Sequence, residues 1–155
     1  MENEKKETSI VLANEVTAVN TDLFGESKTK RVTTLDLTND LEQDMFLNSM
    51  QDADFRLNDC VGKIINVVGV ILTETPNETI NEETGETIVR KKHSMCLFDE
   101  NGKSYVTGSG ACYNSFITIS AMKGMPTKEN PIKFEIIKTP AKEKGHEYLK
   151  LKLAK

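Results

Sequence analysis

Tryptophan is absent from this 155-residue chain, aromatic residues make up only 6% of it, and it holds three cysteines and four prolines. The cysteines (Cys60, Cys96 and Cys112) are odd in number and widely spaced, which argues against a disulfide framework and for a reducing compartment. No apolar run reaches the roughly 18 to 20 residues of a membrane span. The longest, Ile64 to Leu72, is interrupted by Asn66. The opening MENEKKETS has no apolar stretch after its lysines, so no secretory leader is expected. The expected location is the cytoplasm, with no membrane partner. What is present, 37% hydrophobic and 28% charged residues, suits one domain or one domain with a tail.

The formal charge of −4 conceals an asymmetry. Residues 1–62 carry 6 Lys/Arg against 13 Asp/Glu, whereas residues 63–155 carry 14 against 11. Such an imbalance hints at an electrostatic partner without naming it.

Three segments follow from composition and period. Residues 1–34 are rich in Glu, Lys, Thr, Asn and Ser and read as a flexible arm, with Ile10-Val11-Leu12 as a short apolar interruption. Residues 35–59 read as a short strand and an acidic amphipathic helix over about 39–53. Thr38 or Asn39 caps that helix, Asp40, Glu42 and Asp44 sit where its dipole favours negative charge, and Leu41, Met45, Phe46 and Met50 form the packing stripe.

From residue 60 the period becomes that of strands. Gly62 to Glu74 is β-branched with a glycine at position 69, where a strand must bend or bulge. Residues 75–86 read as an exposed loop. Thr87 to Phe98 and Lys103 to Thr107 make a hairpin through the Asn101-Gly102 turn. A helix with Ser109 as cap, Gly124 as stop and Ala111, Phe116, Ile119 and Met122 on its packed face comes next. Strands over Pro131 to Thr139 and Glu147 to Leu153 close the chain. The order strand, strand, strand, helix, strand, strand with a kinked first strand predicts a mainly β fold, the five-stranded Greek-key barrel called the OB-fold, over residues 60–155. Another small α+β sheet has the same element order.

Enzyme constellations are missing from the pattern. Gly108-Ser109-Gly110 lacks the lysine and spacing of a phosphate loop, and no paired CxxC suggests zinc. Cys112 with His93 has no third orienting group in sight, so no catalytic residue, metal or cofactor is expected. The informative cluster is Arg90-Lys91-Lys92-His93 with Lys103 and Tyr105 across the hairpin. Alternation sends Met95, Leu97 and Val106 to the core and Arg90, Lys92, Phe98, Lys103, Tyr105 and Thr107 outward. Cations beside exposed rings are what a single-strand binder uses, since bases stack on aromatics while cations follow phosphates. Lys63, at the start of the first barrel strand, and Tyr113, after the third, complete the candidate DNA-binding set.

Taken together, FLNSMQDADFRLNDCVGKIINVVGV (46–70), ETGE (83–86), FDENGKSYVTGSGACYNSF (98–116) and the closing LKLKLAK resemble a family of phage- and mobile-element-encoded single-stranded DNA-binding proteins of Gram-positive bacteria. The resemblance spans Leu35 to Leu153. It implies an OB-like domain that coats single strands without sequence preference during replication, recombination or transfer of the element. Lys103-Ser104-Tyr105 and Gly108-Ser109-Gly110 then correspond to the third strand and its turn into the helix. Single-stranded DNA is the partner so implied, with self-association along the strand and replication or recombination proteins as further expectations. The acidic recruitment tail of bacterial single-strand binders has no counterpart in the closing Lys150 to Lys155. A protein-interaction module, an adaptor or inhibitor of a host factor on an OB-like barrel, is the competing expectation.

Overall fold

A computed structural model of the chain describes residues 17–19, 29–140 and 147–154. Strands β1 (Thr17–Val19) and β2 (Lys30–Thr33) precede helix α1 (Asp40–Gln51), and β3 (Phe55–Arg56) leads through a single 3-10 turn to β4 (Ile64–Ile80). Then come β5 (Thr87–Asp99), β6 (Ser104–Thr107), helix α2 (Gly110–Lys123), β7 (Ile132–Pro140) and β8 (Glu147–Leu153). The fold is mainly β, in the expected strand–strand–strand–helix–strand–strand order from residue 64 onward.

Among the described residues, eight strands join one mixed sheet organised by β4. Its first residues, Ile64–Val67, pair with β7; from Ile71 it pairs with β2, and along nearly all its length with β5. The register against β5 shifts between Val67 and Gly69, so the expected kink is a bulge. A Cβ on Gly69 would stand 2.8 Å from Leu35 Cδ2, which explains why the bend carries no side chain. The backbone of Val70 is held at this bend by β2. Thr33 Oγ1 donates to its carbonyl at 2.8 Å, and its N–H donates to Thr34 Oγ1 at 3.1 Å.

The sheet is open between β6 and β8, where the expected barrel closes. In place of a ladder, α2 serves the exposed edge of β8: Leu151 N–H donates to Ser115 Oγ at 2.9 Å, and Ser109 Oγ donates to the Leu149 carbonyl at 3.3 Å. The cap residue Ser109 and Ser115 of the helix thereby satisfy two backbone groups of β8 that have no strand partner on that side.

Two cores lie on opposite faces of the sheet. The main core gathers Val67, Val70, Leu72, Met95, Leu97, Phe116 and Phe134 beneath α2. The second gathers Leu35, Phe46, Ile71, Cys96 and Phe98 beneath α1. Asn39 caps α1 by accepting from Leu41 N and Glu42 N, and the buried Glu42 accepts from Asp36 N and pairs with Lys128 at 3.2 Å.

Several sequence expectations change here. Within the expected arm, Thr17–Val19 and Lys30–Thr33 are paired strands of the sheet, while Ile10-Val11-Leu12 lies outside the described residues. The short strand expected from residue 35 forms earlier, at Lys30–Thr33, and Leu35 instead plugs the second core. Residues 75–80 are not loop but the continuation of β4, laddered to β5. On α1 the stripe shifts: Phe46 and Glu42 are buried, whereas Leu41 is 67% exposed and Met50 also faces solvent. On α2 the packed face is Cys112, Phe116 and Ser120 at four-residue spacing, and Met122 is exposed.

The largest correction concerns Phe98. It was expected outward, and it does lie on the face opposite the main core, but α1 and Leu35 cover that face and leave the ring 1% exposed. Phe98→Ala is therefore expected to destabilise the protein by about 3 to 5 kcal/mol, while Leu41→Ala changes stability by less than about 0.5 kcal/mol. Urea denaturation followed by circular dichroism measures both; equal midpoints for the two variants contradict the second core.

Candidate nucleic-acid interface

Strand alternation dictates what the sheet offers once α1 has covered one end of its outer face. Ile71, Cys96 and Phe98 lie under the helix. Past that cover, the outward positions are Thr73, Thr75 and Thr79 on β4, Ser94, Lys92 and Arg90 on β5, and Arg31 on β2. They stand in register, with Arg31 opposite Thr73, Thr73 opposite Ser94, and Thr75 opposite Lys92. Arg90 and Lys92 are exposed, and Arg31 is half-buried. Neither Asp nor Glu occupies any of these outward strand positions, so Arg90 and Lys92 share their row with hydroxyls rather than carboxylates.

Ser94 carries this row into a groove of about 740 Å³, whose walls include Arg56, Val106, Gly108, Ser109 and Tyr148. The groove lies where the sheet is open, between the end of β6 and the start of β8. Tyr148 is 45% exposed there, and Arg56 extends from β3 beside Val106. Ser109 is fixed by its capping bond from Cys112 N at 3.1 Å.

The opposite face of the same hairpin has different chemistry. Glu74 pairs with Lys91 at 3.3 Å and with His93 at 3.4 Å, and the His93 ring stacks on Tyr113 with centroids 4.4 Å apart. Burial would raise the Glu74 carboxyl, but the hydrogen bond and charge of Lys91, then those of His93, outweigh it and hold the group below its usual range. Burial, with the Glu74 charge behind it, pushes the Tyr113 phenol up.

The seven residues singled out from sequence do not converge. Arg90 and Lys92 lie together on the outer row. Lys63 lies in a separate groove with Phe55, Arg56 and Asp59, and Lys103 sits in the β5–β6 turn. Tyr113 is half-buried against His93 on the other face. Phe98 is buried and presents no ring to a base. Tyr105 faces inward, because the turn length sets Leu97 opposite Tyr105 and Phe98 opposite Ser104; the expected parity of β6 is thus reversed for Tyr105, Val106 and Thr107. Its ring packs on the main core and on Phe55 at 5.1 Å, and its hydroxyl donates to Asp99 at 2.8 Å. Burial, then that bond and the Asp99 charge, raises its pKa.

The carboxylates around this turn are committed to structure. Asp99 also accepts from Asn101 N and Lys103 N, and Asp54 accepts from both Ser104 N and Ser104 Oγ, which ties β3 to β6. The thiols are also withdrawn from chemistry: all three cysteines are buried, and burial pushes Cys96 and Cys112 up to about 12. Among the described residues, no three His, Cys, Asp or Glu side chains are grouped to hold a metal ion, and no helix is long and apolar enough to cross a membrane.

Sequence reading missed Arg31, Arg56, Ser94 and Tyr148. For Tyr148 the signal was available, because it shares parity with Lys150 and Lys152 in a strand whose leucines face inward. For Arg31 and Arg56 it was not, since both belong to strands of two to four residues recognisable only by their partners.

The lowered Glu74 pKa fixes a pH dependence. A carboxyl that is more acidic in the folded state stabilises that state above its ordinary value of 4.5, and the contribution disappears as pH falls through the folded value. Glu74→Gln is expected to be less stable than wild type at neutral pH, with the gap shrinking by about pH 3. Urea midpoints at the two pH values test this, and a gap independent of pH contradicts it.

No protein-family model matches the chain, nor does any curated protein or solved structure.

Proposed function

We propose that the protein is a non-enzymatic, sequence-tolerant single-stranded DNA-binding protein that uses an OB-like arrangement of β4 to β8. Four of the five strand pairings of such a barrel are present: β4 with β5, β4 with β7, β5 with β6, and β7 with β8. The missing pairing leaves the groove beside Tyr148. The observation that carries the reading is the outer row itself. Arg31, Lys92 and Arg90 stand among hydroxyls on one face that leads to a groove lined by Arg56, Glu147 and the exposed ring of Tyr148.

The chemistry follows from that layout. A single strand presents a phosphate at every nucleotide and unpaired bases with open π faces. Phosphates are met by the cations and by hydroxyl donors such as Thr73, Thr75 and Ser94, contacts that position the strand without reading its sequence. A base entering the groove stacks on Tyr148, worth about 1 to 3 kcal/mol. A ring flanked by backbone-rich Gly108-Ser109-Gly110 accepts any base, because little there discriminates among base edges. Coating of the strands exposed during replication, recombination or transfer of a mobile element is the corresponding role.

Fluorescence anisotropy with a labelled poly-dT oligonucleotide at two salt concentrations tests this. Two neutralised phosphates, at Arg90 and Lys92, predict a log–log salt slope of about −1.4. Arg90→Glu with Lys92→Glu is expected to weaken binding by about tenfold or more and to flatten the slope, while Tyr148→Ala lowers affinity with little effect on the slope. Equal affinity for duplex, or binding indifferent to salt, overturns the proposal.

A further inference from the structure

The hairpin of β4 and β5 outruns its support. The ladder to β2 ends at Glu74 and the ladder to β6 ends at Met95, yet β4 and β5 continue together for six more residue pairs, from Thr75 opposite Lys92 to Ile80 opposite Thr87. A bare two-stranded ribbon is marginal in water, and one carrying exposed apolar residues is more so. Ile80 is 70% exposed and Val89 59%, diagonal neighbours on the face away from Arg90 and Lys92. Around them the ribbon and its turn are acidic, with Glu78, Glu82, Glu83 and Glu86 all exposed.

A surface of opposite character lies at the other end of the molecule. The outward positions of β7, β8 and the first turn of β4 include Ile64 at 58% exposure and Tyr148 at 45%, with Ile137 half-buried between them. Lys133, Lys150 and Lys152 surround these apolar groups; Glu135 is the carboxylate among these strand positions, and Glu100 reaches Asn66 at the margin from the β5–β6 turn. The ribbon tip does not reach this face within one molecule. Thirteen residues separate Val67, where β7 ends its pairing with β4, from Ile80, about 40 Å of strand.

We infer that the occupant of this lysine-rich face is the ribbon tip of a second copy of the chain. Ile80 and Val89 of one protomer cover Ile64 and Ile137 of the next, and the tip glutamates meet Lys133, Lys150 and Lys152. Apolar contact supplies the adhesion, and opposed charge sets the register and excludes the reverse pairing of like surfaces. The two patches differ, so the contact is head-to-tail and leaves one tip and one face open at the ends of every chain of copies. Such an assembly grows in one dimension, the geometry needed to cover a strand. The tip does not draw on the nucleic-acid row, because Ile80 and Val89 lie on the ribbon face opposite Arg90 and Lys92; on the receiving face the contacts are Ile64 and Ile137, beside Tyr148.

Sedimentation velocity of the full chain tests it, with two charge-reversed variants: a tip variant (Glu82→Lys, Glu83→Lys, Glu86→Lys) and a face variant (Lys133→Glu, Lys150→Glu, Lys152→Glu). Wild type is expected to sediment faster as concentration rises at low salt, and raised salt is expected to reduce this. Each variant alone should associate about tenfold more weakly or less, and an equimolar mixture of the two should recover association. Ile80→Ser, which changes no charge, should weaken association as well. Thermal melts by circular dichroism confirm that each variant is folded. A wild type that stays monomeric at every concentration, a tip variant that associates as wild type does, or a mixture that stays monomeric overturns the inference. Binding of Ile80→Ser, which leaves the charge unchanged, to a poly-dT of about ten nucleotides, room for one domain, should match wild type, so loss of self-association and loss of DNA binding are separable results.

Discussion

The structure depends on one strand being shared among three partners. β4 pairs with β7 at its start, with β2 after its bend, and with β5 throughout, and it does so because the bulge before Gly69 turns it from one direction of the sheet to the other. The turn is secured by backbone chemistry: the buried carbonyl and N–H of Val70 are taken up by Thr33, which ends β2, and by Thr34, which follows it. Leu35, the next residue, fills the space a side chain at position 69 would claim and seeds the second core. Remove the bend and the three sets of pairings no longer belong to one sheet.

From that bend follows the separation of the two faces. Inward alternation builds the main core as far as Leu72 and Met95; beyond it the same parity yields Glu74, Lys91 and His93, where Lys91 neutralises the Glu74 carboxylate and the His93 ring sits beside it. Outward alternation builds the second core as far as Ile71 and Cys96; beyond it the parity yields Thr73, Ser94, Lys92 and Arg90, whose cations share their row with hydroxyls rather than carboxylates. A single two-residue period therefore assigns neutralised charge to one side of the ribbon and cations among hydroxyls to the other. The overall charge of −4 conceals this arrangement because, among the described residues, many of the acidic side chains lie on α1, in turns and at the ribbon tip.

Much of the fold was legible. Glycine at position 69, the Asn101-Gly102 turn, the Ser109 cap and the strict leucine alternation of β8 each have a local physical cause, and each element formed within a few residues of where the sequence placed it, β4 excepted. What escaped depends on distant contacts. Pro76, Glu78 and Asn81 read as loop, yet pairing with β5 carries β4 through the first two of them. β2 was hidden in a polar segment and is a strand because β4 offers it an edge. Phe98 was placed on the correct face, but that α1 covers this face could not be read from the pattern of either element. The site was legible only as Arg90 and Lys92; Arg31, Arg56 and Tyr148 join them through tertiary structure.

The central claim is that the outer row from Arg31 to Arg90, ending in the groove at Tyr148, is where a single strand lies. Amide chemical-shift mapping during titration with a short poly-dT measures this residue by residue. The account predicts shifts confined to Thr73, Thr75, Arg90, Lys92 and Ser94 with Gly108, Ser109 and Tyr148 at the groove, and none around Glu135 and Ile137. Shifts centred on β7 and β8 with the outer row unmoved would contradict it.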